Sequence, residues 1–180
     1  MIIFMGLAGS GKSTQGQLLA AHLHCPWIST GKLLREFNTN AVVHERMLKG
    51  EMVDDETTLS VLEAELRRVG ADHNECILDG SPRTLHQAQW LVEKAKKNQL
   101  EITAVVHLEI SKSIAKERLL ARQRPDDNEP AIAERFAEYE RVIKPILDYL
   151  RAEGFTVYDI DGAASPEVIA LTITKALGLK

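Results

Sequence analysis

The stretch Gly6-Leu7-Ala8-Gly9-Ser10-Gly11-Lys12-Ser13-Thr14 decides the fold. An apolar run at residues 2–5 leads into it, and in residues 15–23 beyond it apolar side chains recur every three or four positions. Strand, glycine-rich turn and helix together give G-x-x-x-x-G-K-[ST] the context in which the motif has meaning. Glycines let the backbone curl so that successive N–H groups face phosphate oxygens, and the helix N-terminus adds the positive end of its dipole. Gly9, Ser10, Gly11, Ser13 and Thr14 are therefore candidate triphosphate contacts. Lys12 would place a point charge on the β- and γ-phosphates, and the Ser13 hydroxyl would ligate Mg²⁺. The reading is a nucleoside triphosphate site.

Outward from this loop, five short apolar runs (2–5, 26–29, 75–78, 104–109 and 156–160) alternate with helix-period segments. That alternation is the signature of parallel βαβ units. The predicted fold is α/β: a P-loop NTPase with a five-stranded parallel sheet flanked by helices, one domain over residues 1–180. Helices are predicted at 15–23, at 59–69 (capped by Asp54 or Asp55) and at 85–97 after Thr84. A long helix over 132–151 should kink at Pro145, and the last helix has Ser165 as cap and Pro166 at its first position. Between the second and third runs lie 45 residues, Thr30 to Asn74, more than one crossover needs. With helical pieces at 31–37 and 41–49, they predict a helical insertion over 30–59. Residues 122–130 read Arg-Gln-Arg-Pro-Asp-Asp-Asn-Glu-Pro, whose prolines and acids predict a short lid over 122–132.

Composition narrows the class. The chain has 180 residues, 44% hydrophobic and 27% charged, which is enough apolar material for a core and too much for disorder. A mean hydropathy of −0.15 and the lack of any apolar run near the ~20 residues of a membrane span point away from the bilayer. Residues 1–5 lack the basic start of a secretory signal, and Cys25 and Cys76 are too few for a disulfide scaffold and read as buried thiols. The expected compartment is the cytoplasm. A net charge of −4 and a pI near 5.9 argue against a nucleic-acid binder. An acidic chain can still hold anions if its cations gather in one place.

Several do fall together. The third run ends in Asp79-Gly80-Ser81-Pro82-Arg83, which places an acid at the carboxyl edge of a strand beside the phosphate loop, where a Mg²⁺-organising aspartate belongs. Thr30 and Arg35 follow the second run at the same edge. From Lys112 to Arg124 there are five bases against the single acid Glu117, and Arg118 and Arg122 share a helical face. Arg124 and Arg135 bracket the lid. Arginines converging on a transferring phosphoryl group neutralise its charge; the plainer alternative is a solvated helix paired with Asp126 and Asp127. No Asn-Lys-x-Asp segment reads a guanine base, and the six histidines form no spaced ligand set, His86 being nearest the site.

These segments together resemble adenylate kinase over nearly the whole chain: the loop through Thr14-Gln15, Ser29-Thr30-Gly31 with Arg35, Gly50-Glu51-Met52-Val53, Leu78-Asp79-Gly80 with Pro82-Arg83-Thr84 and Gln87-Ala88, and Arg118, Arg122, Arg124, Asp126-Asp127, Arg135 and Tyr139. The resemblance implies reversible transfer of the ATP γ-phosphoryl group to AMP, giving two ADP, with Lys12, Arg83, Arg122, Arg124 and Arg135 catalytic. It implies that Thr30 and Gln87 contact adenine, and that Arg35, Glu51, Met52, Val53, Gly80, Ser81 and Pro82 line the AMP site with Arg83, Arg124 and Arg135. Arg118 and the backbone near Ala164 would border the ATP base, Arg122 would hold phosphates, and Mg²⁺ would sit by Ser13 and, through water, Asp79. The lid has no cysteine, which implies the short-lid form without zinc. Partners would be the nucleotides alone, with no nucleic acid or membrane, and the chain would act as a monomer. Departures from the family pattern include Ala8 for proline, Lys32 for aspartate and Ser81 for an aromatic, the last two expected to border the monophosphate pocket. Within the class a CMP/UMP or other small-molecule kinase is the alternative, and outside it a non-catalytic nucleotide-binding regulator.

Overall fold

Five short runs rich in Ile, Val and Leu become strands β1 (Ile2–Gly6), β2 (Trp27–Ser29), β3 (Ile77–Asp79), β4 (Ala104–Glu109) and β5 (Val157–Asp161) in a computed structural model that describes residues 1–37 and 41–179. The sheet is parallel throughout, in the order β2-β3-β1-β4-β5. β1 is central, with Ile3 paired to Leu78 on one side and Val105 on the other. A parallel sheet must be covered on both faces, and the alternation along β1 shows how. Ile3 and Met5 pack with Leu62, Leu91, Ile146 and Leu150, whereas Ile2 and Phe4 pack with Leu19, Ile169 and Ile173. This is the predicted α/β P-loop architecture.

The first face is covered by α4 (Asp55–Val69), α5 (Leu85–Lys96) and α8 (Lys144–Ala152), the second by α1 (Lys12–Leu23) and α9 (Pro166–Ala176). Between β2 and α4 lie α2 (Thr30–Phe37) and α3 (Ala41–Lys49), with a small core of Leu34, Val43 and Val53. Residues 38–40 of the expected insertion lie outside the described residues. After α6 (Lys112–Arg122), α7 (Glu129–Glu138) runs through a π-turn, Tyr139–Ile143, into α8.

Helix starts differ from the sequence reading for local reasons. α1 begins at Lys12 because Gly11, at φ +98°, turns the chain ahead of it. α4 begins at Asp55, since Asp54 is the cap and accepts from the Thr57 N–H at 2.8 Å; its first turn is polar and invisible to an apolar pattern. α7 begins at Glu129 with Asn128 accepting from the Ala131 N–H at 3.0 Å, so the irregular segment between α6 and α7 is only residues 123–128. The helix expected over 132–151 is instead α7 and α8 joined by the π-turn, which ends just before Lys144 and Pro145. Ser165 holds the cap position of α9, but its hydroxyl accepts no helix N–H. Cys76 is buried, its thiol pushed up to about 11 by burial, while Cys25 is only half-buried. Among the described residues no helix is long and apolar enough to cross a membrane.

Candidate active site

The carboxyl ends of β1, β2 and β3 converge on a cleft of about 320 Å³. Its floor is the glycine loop. Gly9 sits at φ +85°, and a Cβ there would lie 2.7 Å from the Ala115 carbonyl, so no other residue fits without moving α6. Lys12 folds back over this loop and donates to the Gly6 and Leu7 carbonyls, both at 2.9 Å. Burial lowers its pKa to about 8; Asp79 opposes that shift, while Arg83 and Arg122 add to it. Beside it the Ser13 hydroxyl donates to Asp79 Oδ2 at 2.6 Å. Asp79 is buried at the end of β3. A hydroxyl and a buried carboxylate in contact are the oxygen donors a hard cation such as Mg²⁺ takes, so these residues fit the metal that the sequence implied.

The facing wall is cationic. Arg35, Arg83, Arg118, Arg122, Arg124 and Arg135 all line the cleft. Burial and the neighbouring Arg124 push the Arg35 guanidinium down, which is the electrostatic trace of their crowding. Arg122 forks onto Asp127, both bonds 2.6 Å, and Arg135 bridges Asp127 at 3.1 Å and Asp126 at 2.6 Å. Burial would raise Asp127, but its bonds to Arg122 and the charge of Arg135 hold it below the usual carboxylate range. Among the described residues Arg35, Arg83 and Arg124 form no ion pair. Arg118 instead donates to the Gly162 and Ala163 carbonyls at 2.8 and 3.1 Å.

The remaining candidates divide. Gly9, Gly11, Ser13, Thr14, Thr30, Glu51, Met52, Val53, Gly80 and Gln87 line the cleft with Lys12 and Asp79. Thr30 is buried, and its hydroxyl has no partner. Ser10 is fully buried under the loop, and Ala164 reaches the site only through its carbonyl, 3.5 Å from Arg118 Nη2. Ser81 and Pro82 line an adjoining cavity of about 40 Å³ that shares Lys12, Gly80, Arg83 and Arg135 with the cleft and adds Glu138 and Tyr139. The Ser81 hydroxyl is buried and unpartnered. Lys32 was expected to border the monophosphate pocket, but its exposed ammonium lies 3.9 Å from Glu36.

Sequence reasoning missed other lining residues, among them Leu34, Met47 and Thr58. It also missed Glu138, a buried carboxylate whose pKa burial raises against the pull of Arg83 and Arg135; its signal was its place one turn after Arg135. Nor did it foresee His107, which β4–β5 pairing sets opposite Asp159. His107 bonds Asp159 at 2.7 Å and the Tyr139 hydroxyl at 2.8 Å, while Arg151 forks onto Asp159. His107, Glu109 and Asp159 present ligand atoms within 4.8 Å of one another. Two of the three are already satisfied by protein partners.

A parallel sheet with a strand–glycine loop–helix at its centre, a lysine on the loop and a Ser–Asp pair beside it defines a P-loop nucleotide-binding enzyme. The family model of adenylate kinase matches residues 4–155. An adenylate kinase of Corynebacterium urealyticum is 36% identical over 174 residues, covering 94% of each chain. Another, of Prochlorococcus marinus, is 35% identical over 98% of this chain and 97% of its own. That of Leptospira biflexa is 36% identical over 98% of both. This chain belongs to the adenylate kinase family.

Proposed function

We propose that the cleft transfers the γ-phosphoryl group of ATP to AMP, reversibly, with the loop holding ATP and the residues beyond β2 and β3 holding AMP. The observation that carries the reading is the gathering of Lys12 and six arginines around one cleft in a chain of net charge −4. The acceptor is a phosphate oxygen already largely ionised at pH 7, so no strong general base is needed. Catalysis then rests on positioning and charge neutralisation. Loop N–H groups and Lys12 hold the β- and γ-phosphates; Arg83, Arg122, Arg124 and Arg135 meet the AMP phosphate and the group in flight. Arg118, already spread along the 162–164 backbone, would border the ATP base. Thr30, with its unpartnered hydroxyl, and Gln87 would face adenine. When bound, Mg²⁺ held by Ser13 and Asp79 neutralises phosphate charge.

Water competes with AMP as acceptor, so the site has to close before transfer. Two segments would do this: the proposed insertion over 30–59 and the proposed lid over 122–132. They already touch. A Cβ at Gly50 would lie 2.6 Å from the Ala131 carbonyl, and Asn128 donates to the Leu48 carbonyl at 3.3 Å. The proposed acting unit is a monomer in the cytoplasm. A coupled assay of ATP against AMP, CMP, UMP, GMP and shikimate tests the reading. AMP is expected to exceed every other acceptor by at least tenfold in kcat/KM, and a smaller margin overturns the assignment.

A further inference from the structure

Gln87 is buried at the start of α5, and both ends of its side-chain amide are engaged. Its Nε2 donates to Asp55 Oδ1 at 2.8 Å, and its Oε1 accepts from the Arg83 backbone N–H at 2.8 Å. A carboxylate only accepts and a peptide N–H only donates. The two partners therefore force one orientation of the amide and oppose its flip. Asp55 is itself held, because Thr84 Oγ1 donates to both its oxygens at 2.9 Å and His86 Nδ1 lies 3.1 Å away. With these bonds made, Gln87 has one N–H and one oxygen lone pair left for the cleft it lines.

From this we infer that Asp55 is a specificity-determining positioning residue, which fixes the polarity of the Gln87 amide so that it reads a 6-aminopurine and rejects a 6-oxopurine. The inference rests on the proposal that Gln87 faces the base. Adenine offers an acceptor at N1 and a donor at its 6-amino group, which match a free N–H and a free lone pair. Hypoxanthine presents the reverse, an N1–H donor and an O6 acceptor. To pair with it the amide would have to turn over, setting Oε1 against the Asp55 carboxylate and Nε2–H against the Arg83 N–H. Both bonds would be lost and replaced by repulsion. Asp55 touches no substrate in this account; it acts through Gln87.

The test is the ratio of kcat/KM for AMP to that for inosine monophosphate, measured in the full-length enzyme with Mg·ATP. Asp55→Asn gives Gln87 a neighbour that can donate as well as accept, so the ratio should fall by about tenfold or more. Asp55→Ser, whose hydroxyl also does both, is the second variant, and whichever keeps the wild-type KM for ATP is the one judged. Loss of local structure alone would weaken both acceptors and leave the ratio unmoved. An unchanged ratio overturns the inference, provided that Gln87→Ala does lower it. If Gln87→Ala also leaves the ratio unchanged, the assignment of Gln87 to the base falls, and the role of Asp55 with it.

Discussion

The two walls of the cleft solve one problem, holding phosphate charge in an acidic protein, by opposite means. The glycine loop is preorganised. Its donors are backbone N–H groups, and Lys12 rests on the neutral carbonyls of Gly6 and Leu7, so no carboxylate has to leave Lys12 for phosphate to reach it; the nearby Asp79 is held by Ser13. The arginine wall is preloaded. Arg122 and Arg135 hold Asp127 and Asp126, and both aspartates are buried although Arg122 is not. On the proposed assignment nucleotide displaces a carboxylate from the arginines, whereas Lys12 gives up only neutral carbonyls. That proposal gives standing affinity to the loop and switching to the arginines.

The largest break in this comparison is Lys12→Ala, which removes the loop's one side-chain charge and should lower kcat by about 10³-fold or more. Arg135→Ala should cost less, about 10²-fold, since five other arginines line the wall. A loss equal to that of Lys12→Ala would mean that the two walls do not divide the work as described.

Asp127→Asn sharpens the contrast. It takes one charge from a cluster in which Asp127 is 1% exposed and Arg122 33% exposed. That should destabilise the empty protein by about 1–3 kcal/mol, less than for a fully buried pair because Arg122 is partly hydrated. In the proposed exchange, phosphates of bound ATP and AMP replace the aspartate. The rise in Tm on adding both nucleotides should therefore exceed that of the wild type, and an equal rise would break the exchange model.

The smallest effect belongs to the loop and is set by pH. Lys12 sits at about 8 because it is buried. Bound phosphate favours the ammonium and lifts that value, so affinity is full below pH 8 and is lost as pH rises through it. Between pH 7 and 9 ATP binding should weaken by roughly tenfold or less, with proton uptake near pH 8. Calorimetry in buffers of different ionisation enthalpy reads that uptake directly; its absence would mean that Lys12 is not buried against the loop.

Legibility in the sequence followed the range of the interaction. The loop was plain because nine consecutive residues carry strand, turn, lysine and helix start together. Strands were plain because each is a short, largely apolar run set between helix-period segments. Helix starts were read late at Lys12, Asp55 and Glu129, where first turns are polar and capping is done by Gly11, Asp54 and Asn128. The arginines were visible as a charge bias, and their pairing with Asp126 and Asp127 was kept only as an alternative. What no local pattern shows is a bond across the chain: Asp55 to Gln87 spans 32 positions and His107 to Asp159 spans 52. Such contacts exist only once the sheet order has brought separate elements together.

The central claim is that the cations of this cleft carry transfer between two nucleotides. The most direct measurement is ADP formation from Mg·ATP and AMP by the wild type beside Lys12→Ala, the variant's fold being checked by its Tm. Rapid ADP formation by the wild type and its near-complete loss in a folded variant are expected. A wild type that binds both nucleotides without forming ADP, or a folded Lys12→Ala enzyme that still turns over, would contradict the central claim.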